Sequence, residues 1–443
     1  MIGSDAIRRI TDRVLTDSTA DQTEVVVSAG EEQLTRFANN EIHQHVSETN
    51  MEIRIRAVIG QQIGVAATND PSESGLRRAL DAAIEIAKRQ PPNPEFTSLP
   101  GPQPITPAEG WSQATADCTP QYRADGVGTI VRLASEQGLI AAGAFSTGRE
   151  EIAVANSLGV WAYHPRTHTE LNTVVMGEAS GWAANASRDI GDLDPEAIGR
   201  EAVDKAVRSL NPQPLPPGVY PVVLEPYAVS ELITYLNFIG FGALALQEGR
   251  SPLELGQQQA APIVTIYDDG TDPTGMPMPF DYEGVPKQLV PLIKNGVSTS
   301  VVYDTQTASK DGSRSTGHAW PAPNTNGPIA TNIFFKPGST PKADLVKGIQ
   351  HGIYVTRLHY VNIVHPKQSI LTGMTRDGTF LIENGEIAGP IRNFRFTQSV
   401  LEALKNVQDL SSETLLDRDF IGVVHRVPAL KISEFNFSSV TEF

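Results

Sequence analysis

The chain uses one order of predicted elements twice, and this repeat limits its possible folds more than any other feature. Residues 38–39 (Ala-Asn) recur at 155–156, and 64–67 (Gly-Val-Ala-Ala) correspond to Gly-Trp-Ala-Ala at 181–184, so both landmarks are 117 residues apart. The same offset places the first predicted helix inside the helix that opens the second copy. Similarity at a fixed spacing indicates a duplicated unit. We therefore expect one sheet built from two related halves, with helices on one face.

The elements of each half are predicted from hydrophobic periodicity. Apolar residues three and four apart indicate helices, and alternation of apolar and polar residues indicates half-buried strands. In the first half this gives a helix at 5–15, strands at 23–29 and 33–40 joined by a turn at 30–32, strands at 51–60 and 61–69, and a helix at 74–89. In the second half it gives a helix at 121–137, strands at 141–145, 150–156, 167–177 and 181–187, and a helix at 195–210.

The proline-rich segment NPQPLPPG at 211–218 is the predicted domain boundary. A chain of 443 residues is too long for one ordinary core. We predict an N-terminal domain at 1–213, with halves at about 1–90 and 121–210 and a connector at 91–120, followed by a C-terminal domain at 214–443. Strands dominate the second domain, and Asn384-Gly385 suits a type I′ hairpin turn. The expected fold class is α+β: a duplicated antiparallel sheet with helices, then a β-rich domain.

One helix stands out at the start of the second domain. Apolar residues at three- and four-residue spacing form one stripe between 229 and 247. Its charged residues are Glu231 and, at the far end, Glu248, and it contains no histidine. A strand at 219–224 precedes it, so a strand, a tight turn and a helix open the domain.

The composition excludes several classes of function. Thirty-five basic and 51 acidic residues give a net charge of −16, which argues against general nucleic-acid binding because phosphates need a basic surface. No apolar run reaches the roughly 18 residues of a membrane helix. Cys118 is the only cysteine, so an intrachain disulfide is impossible. The N-terminal stretch lacks the apolar core of a signal peptide. We expect a cytoplasmic protein without a membrane or nucleic-acid partner.

Five stretches carry a resemblance to a known family. They are RFANNEIHQHVSE at 36–48, IGVAATND at 63–70, VANSLGV at 154–160, GIYVTR at 352–357 and GTFLIENGEIAGPI at 378–391. In this order they resemble the TldD/PmbA (TldD/TldE) family of cytoplasmic metallopeptidase-related proteins. The resemblance implies a duplicated α+β domain, a β-rich C-terminal domain, and an elongated two-chain assembly that encloses a peptide channel.

The resemblance also implies a zinc motif that this chain lacks. TldD-type members carry His-Glu-x-x-x-His on the helix that here starts near Val229, plus a cysteine close to the C-terminus. In this chain Leu232 and Ile233 stand about where the first His and the Glu would be, and Asn237 about where the second His would be, within a residue. None of the nine histidines precedes a glutamate. This pattern is that of the TldE/PmbA branch, so we expect no catalytic residue and no metal ligand here, with zinc held by a TldD-like partner.

The same resemblance suggests residues that contact unfolded peptide. The candidates are His318, which follows Thr316-Gly317, and Arg357 and His359, which lie on a predicted strand whose alternate residues face one side. The same residues are also expected in a polar surface loop, for His318, and on an ordinary sheet surface, for Arg357 and His359. A metal pair at His43 and His45 on one strand face is a weaker possibility, since no third ligand lies nearby in the sequence.

Two other functions stay open at this point. The first is a stand-alone hydrolase with relocated ligands drawn from His318, His359, His365 and Asp304. The second is a binding module without enzymatic activity that works as a homodimer, a class that includes older descriptions of the family as modulators of DNA gyrase. The preferred hypothesis is a non-catalytic subunit of a TldD/TldE-type peptidase that binds unfolded peptides, whose partner is a TldD-like chain or a second copy of itself.

Overall fold

The computed structural model describes residues 1–419 and 421–441. The helices of this part are α1 (Ser4–Asp17), α2 (Glu73–Arg89), α3 (Gln113–Ala116), α4 (Pro120–Glu136), α5 (Pro195–Arg208), α6 (Pro226–Leu236), α7 (Ala243–Gln247), α8 (Thr305–Lys310) and α9 (Val400–Lys405). Within it, no helix is both long enough and apolar enough to span a membrane.

Two sheets carry the strands. The first contains β1 (Gln22–Ala38), β2 (Glu41–Ile59), β3 (Gln62–Thr68), β4 (Ile140–Asn156), β5 (Trp161–Met176) and β6 (Ser180–Ser187). The second contains β7 (Gly218–Leu224), β8 (Ile266–Asp268), β9 (Val290–Lys294), β10 (Val297–Ser298), β11 (Asn332–Phe335), β12 (His351–His365), β13 (Ile370–Glu383), β14 (Glu386–Pro390), β15 (Phe394–Ser399), β16 (Val407–Arg418) and β17 (Val424–Val440).

The first sheet has the symmetry that the repeat predicts. Its strand order is β3-β2-β1-β4-β5-β6, and every pairing is antiparallel. The two halves meet where β1 pairs with β4, from Glu24 opposite Asn156 to Phe37 opposite Gly143. The helices α1 and α2 belong to the first half, and α4 and α5 to the second. The α+β class with a duplicated first domain and a β-rich second domain is confirmed.

The predicted turn at 30–32 is wrong, because one unbroken strand runs from Gln22 to Ala38. Gly30 lies between Asn50 of β2 and Glu150 of β4, and Glu31 forms an ion pair with Arg149. The glycine is therefore required by a close neighbour, since an added Cβ would lie 2.9 Å from the carbonyl oxygen of Arg149. The true turn lies between β1 and β2. In the same way, the strands predicted at 141–145 and 150–156 form one strand.

A pair of equivalent glycines explains why Gly64 and Gly181 recur. A Cβ on Gly64 would lie 2.0 Å from the carbonyl oxygen of Ala83 in α2. A Cβ on Gly181 would lie 2.1 Å from the carbonyl oxygen of Ala202 in α5. In each half the helix backbone thus rests directly on the strand, which only a residue without a side chain permits. The repeated glycine thus corresponds to the same contact between helix and sheet in each half.

The second sheet places its first strand between two late ones. β7 pairs in parallel with β12 through Val222 and Ile353, and antiparallel with β17 through Val222 and Ile432. Some strands of this sheet are short, and β10 contains only Val297 and Ser298. The hairpin between β13 and β14 is confirmed, with Asn384 and Gly385 both at positive φ.

The long helix predicted at 229–247 is interrupted. α6 ends at Leu236, a π-helical turn covers Asn237–Phe241, and α7 starts only at Ala243. Gly242 between them is extended, and a Cβ there would lie 2.3 Å from the carbonyl oxygen of Pro328. The periodicity continued across the break because the apolar residues on both sides face one core. The break itself follows from the close passage of the 328 loop.

Charged contacts fix α6 against the N-terminal domain. Glu225, just before α6, accepts hydrogen bonds from Lys205 Nζ and from the Tyr354 hydroxyl, each at 2.7 Å.

A second contact between the domains involves Arg56 of β2, which forms ion pairs with Glu24 of its own sheet and with Glu283 of the second domain. The predicted boundary at 213–214 and the connector at 91–120 stay predictions.

Candidate functional site at helix α6

The apolar stripe of α6 faces the core and not a site. Leu232 and Ile233 are 3% and 0% exposed and belong to the main hydrophobic cluster of the second domain. Asn237 donates from Nδ2 to the carbonyl oxygen of Ala330 at 3.0 Å, and its Oδ1 has no partner among the described residues. These three side chains do not fit zinc, because two are hydrocarbon and the third is held by the backbone. Their assignment as lost ligand positions stays a prediction.

A second set of residues on α6 has the same spacing and a polar environment. Ser230, Glu231 and Tyr235 occupy positions i, i+1 and i+5, as do the residues of His-Glu-x-x-x-His. Ser230 Oγ donates to Asp417 Oδ2 at 2.6 Å, and the Tyr235 hydroxyl donates to the carbonyl oxygen of Val361. Metal ligands need polar surroundings, and Ser230, although buried, lies beside Asp417 and His425, so the geometry favours this register over the positions in the apolar core. Hydroxyls already used in hydrogen bonds still do not make a zinc site.

Three carboxylates and a histidine gather beside this face of α6. Burial raises the pKa of Glu231 to about 7, with a further rise from Asp417 and partial relief from Arg357. Burial likewise raises the pKa of Asp419 to about 6. His425 is fully buried, which lowers its pKa to about 4, and its Nδ1 lies 3.5 Å from Ser230 Oγ. We refer to Ser230, Glu231, Asp417, Asp419 and His425 as the α6 polar cluster.

The raised pKa of Glu231 gives a testable pH dependence. A carboxyl whose folded pKa lies near 7 and whose unfolded pKa is 4.5 stabilises the fold below pH 4.5 and loses this contribution as the pH rises through 7. Glu231→Gln resembles the protonated acid. We therefore expect its free energy of unfolding, relative to that of wild type, to rise by on the order of 3 kcal/mol from pH 5 to pH 8. Denaturant unfolding at both pH values measures the difference.

The control for this experiment is Glu178→Gln, because Glu178 is exposed. The difference in free energy of unfolding between this variant and wild type is expected to be the same at pH 5 and pH 8. If the difference in unfolding free energy between Glu231→Gln and wild type is also the same at both pH values, Glu231 is ionised in the folded protein at no energetic cost. That result would contradict the raised pKa of Glu231 in the α6 polar cluster.

Arg357 and His359 both lie on β12, and Arg357 is close enough to the α6 polar cluster to lower the pKa of Glu231. Arg357 donates to Asp377 Oδ2 at 2.8 Å, and its guanidinium carbon lies 3.9 Å from the ring centre of Trp182 in the first domain. His359 is partly exposed, and burial together with Arg376 and Arg357 lowers its pKa. Arg357 thus joins the two domains, and His359 stands at the surface. Their contact with peptide stays a prediction.

His318 lies elsewhere and is buried. Its Nε2 is 2.7 Å from Asp268 Oδ1, and its Nδ1 is 2.9 Å from the Thr316 hydroxyl. Asp268 also accepts hydrogen bonds from the backbone amides of Thr331 and Asn332. This network holds three loops together, so the geometry assigns His318 a structural role. Peptide contact by His318 stays a prediction that its burial does not favour.

The four residues proposed as relocated ligands are not brought together. Asp304 caps α8, His365 is exposed at the end of β12, and His318 and His359 lie apart as described. In the part of the chain that the structure describes, one group of three potential ligands has its atoms within 4.8 Å of one another, namely Glu32, Glu150 and His168. That group lies on the first sheet.

Fold and site together define a class of protein: a duplicated sheet domain joined to a β-rich domain whose first helix, α6, lies beside a buried cluster of polar side chains. Family models agree with this class. The PmbA/TldA metallopeptidase domain 1 matches residues 23–87, the central domain matches 123–210, and the C-terminal domain matches 217–439. The chain belongs to the PmbA/TldD metallopeptidase family.

Individual relatives support this assignment. A metalloprotease of Methanothermobacter thermautotrophicus is 34% identical over 235 residues, 52% of this chain and 51% of that protein, so the match spans about half the relative's length. The metalloprotease PmbA of Escherichia coli O157:H7 is 24% identical over 370 residues, 79% of this chain and 78% of that protein. The crystal structure of TldE from Thermococcus kodakarensis superimposes with a TM-score of 0.89 at 23% identity, covering 97% of this chain and 99% of that one, which shows a shared fold.

Proposed function

We propose that this chain is the TldE/PmbA-like subunit of a zinc peptidase complex and that it holds unfolded peptide for a partner that carries the metal. The observation that carries the proposal is the state of α6. The positions with the spacing of the zinc motif hold Ser230 and Tyr235, whose hydroxyls are already hydrogen-bonded, and the alternative positions are in the core. A chain of this family without a metal-binding helix needs a second chain to supply the metal.

The free edge of β12 supports the peptide-binding part of the proposal. Within residues 1–419 and 421–441, β7 pairs with β12 only from Ile353 to Val355, so 357–365 has one edge without a strand partner, where the Tyr235 hydroxyl occupies the Val361 carbonyl. Tyr360 and Val364 on this segment are 72% and 55% exposed. An extended peptide can add to such an edge through main-chain hydrogen bonds, which tolerate many sequences, while apolar side chains contribute affinity.

The complex is tested by affinity purification of the tagged chain from its native cells, with zinc measured in each co-purifying protein. We expect a roughly equimolar partner with His-Glu-x-x-x-His, zinc in that partner, and peptide cleavage only when both chains are present. Cleavage by the isolated chain would overturn the proposal in favour of a stand-alone hydrolase. A homo-oligomer that binds peptide without cleaving it would overturn it in favour of a binding module.

The edge itself is tested by a matched pair of substitutions. Val364→Asp places a charge on the free edge, and Val219→Asp places one at a similarly exposed valine of β7 (59% exposed). We expect the first variant to weaken binding of a fluorescent unfolded peptide by about tenfold, which corresponds to about 1.4 kcal/mol. The second is expected to bind as wild type. Equal effects of the two variants would exclude this edge as the peptide site.

A further inference from the structure

Three strands of the first sheet bring two glutamates and a histidine to one point. Glu32 of β1 lies opposite Gly148 of β4, which lies opposite His168 of β5. Paired residues of a sheet face the same side, and so do residues two apart on a strand, so Glu150 joins this face. Their ligand atoms all lie within 4.8 Å of one another. The convergence of one imidazole and two carboxylates is the donor set of a transition-metal site.

The present geometry is close to that of a bound ion. His168 Nε2 lies 2.8 Å from Glu32 Oε1. In a tetrahedral zinc site with bonds of about 2.0–2.2 Å, neighbouring ligand atoms are about 3.3–3.5 Å apart. An ion placed between these two atoms therefore moves them apart by less than about 1 Å. Since His168 is buried and the Glu32 side chain is 47% exposed, we expect Glu32 to make this movement.

Gly148 keeps the space between the ligands open. A Cβ at this position would lie 2.3 Å from His168 Nε2 and 2.5 Å from Glu32 Oε1. Any other residue would separate the two side chains across β4. The strand position gives no other reason for glycine, because its φ is not in the left-handed region. The absence of a side chain is what allows β1 and β5 to share one ligand pair over an intervening strand.

Charged groups of both signs surround the ligand group, because Arg166 and Arg418 act on Glu150 and further carboxylates lie nearby. Glu48 of β2 lies opposite Glu32 in the register, which adds a third carboxylate to the row. Arg166 holds Glu150 Oε2 from one side at 2.6–2.7 Å, which fixes the carboxylate and leaves Oε1 free of this ion pair. Glu32, Glu150 and Tyr282 of the second domain line a trough of about 470 Å³, whereas His168 lines a separate small space beside Arg166. The trough gives an ion access to the two carboxylates.

We infer that Glu32, Glu150 and His168 bind one divalent transition-metal ion, such as zinc, and that the ion crosslinks β1, β4 and β5 where the first sheet faces the second domain. The set supplies one nitrogen and two oxygen ligands, which leaves the fourth position of a tetrahedral ion for water. The inference concerns this chain's own first domain and is independent of the zinc that the proposed function assigns to a partner.

The test is titration of the chelator-treated full chain with Zn²⁺ by calorimetry. We expect one zinc per chain in wild type and a dissociation constant raised at least about tenfold in Glu32→Gln and in His168→Ala, since even outer partners of metal ligands contribute tenfold to a hundredfold. Glu32→Gln changes a half-exposed side chain, so it carries the test if His168→Ala fails to fold. Absence of zinc binding in wild type, or unchanged binding in Glu32→Gln, would overturn the inference.

Two control variants separate this site from others on the chain. Glu48→Gln removes a neighbouring carboxylate that is not in the ligand group, and His43→Ala removes an exposed histidine of β2. Both are expected to bind zinc within about twofold of wild type. Loss of binding in His43→Ala would place the ion on β2 instead and would overturn the inference.

Cobalt substitution gives a readout that does not depend on affinity. Co²⁺ held by nitrogen and oxygen shows visible d–d absorption without a thiolate charge-transfer band. Cys118 is the only cysteine, so such a band would identify it as a ligand and would contradict the assigned set. The expected spectrum disappears in Glu32→Gln and persists in Glu48→Gln.

Discussion

Replacement of Lys205 by methionine is expected to lower the free energy of unfolding by about 3–5 kcal/mol. Lys205 Nζ lies 2.7 Å from Glu225 Oε2, and both side chains are at most 7% exposed. Without the ammonium group, the Glu225 carboxylate stays buried beside Tyr354 with no opposite charge at contact distance. The cost of leaving a buried charge unpaired exceeds the worth of the pair itself. Denaturant unfolding at neutral pH measures the effect.

The duplication supplies the control. Lys88 of α2 lies 117 residues before Lys205, at the equivalent position of the first half, and it pairs with Glu85 at the surface. Lys88→Met is expected to cost less than about 1 kcal/mol, because exposed ion pairs contribute little. If the two substitutions cost the same, the buried pair does not stabilise the contact between the domains. Adding Glu225→Gln to Lys205→Met is expected to recover part of the loss.

Substitution of Ile233 by glutamate is expected to destabilise the chain by about 4 kcal/mol or more and to add no zinc to the content of the wild-type chain. Ile233 is 0% exposed in the cluster that also contains Leu232 and Leu236. A glutamate in such a core has its pKa raised by 3 units or more, which corresponds to about 4 kcal/mol at neutral pH, before the lost apolar contacts are counted. Unfolding curves and zinc content of the purified variant test both parts.

The matched variant is Ile233→Met, which keeps the volume and the apolar character and is expected to cost less than about 1.5 kcal/mol. A folded Ile233→Glu chain with nearly wild-type stability would mean that position 233 reaches a polar site. That outcome would support the register in which Leu232 and Ile233 replace a His-Glu pair. It would argue against the register through Ser230 and Glu231.

Periodicity predicted most of the first domain, because each of its elements is long and has one face in a single core. The same rule failed wherever tertiary contacts determined the conformation of the backbone. Gly30 looked like a turn residue, yet it serves the close approach of β4 within a continuous strand. The break after Leu236 was hidden because both sides of the π-helical turn contribute apolar residues to the same core. Neither feature has a local signal in the sequence.

The α6 polar cluster was beyond sequence reasoning for a different reason. Its members come from α6 and from the end of the chain, 187 residues apart for the bond between Ser230 and Asp417. Glu231 was visible as the one charged residue in the middle of an apolar helix, and that was the available signal. The metal group on the first sheet was hidden in the same way, because it depends on a register that places Glu32 and His168 on either side of Gly148.

The position of β7 has a consequence for synthesis of the chain on the ribosome. β7 is the first strand of the second domain to be synthesised, and its neighbours are β12 and β17. It can pair fully only after residues 424–440 have been made. The first domain, in contrast, has all of its strands by Ser187. We expect nascent chains to carry a folded first domain while β7 and α6 still expose apolar side chains. During that interval the growing polypeptide is a client for chaperones, and a ribosome stalled before residue 424 leaves a half-folded product.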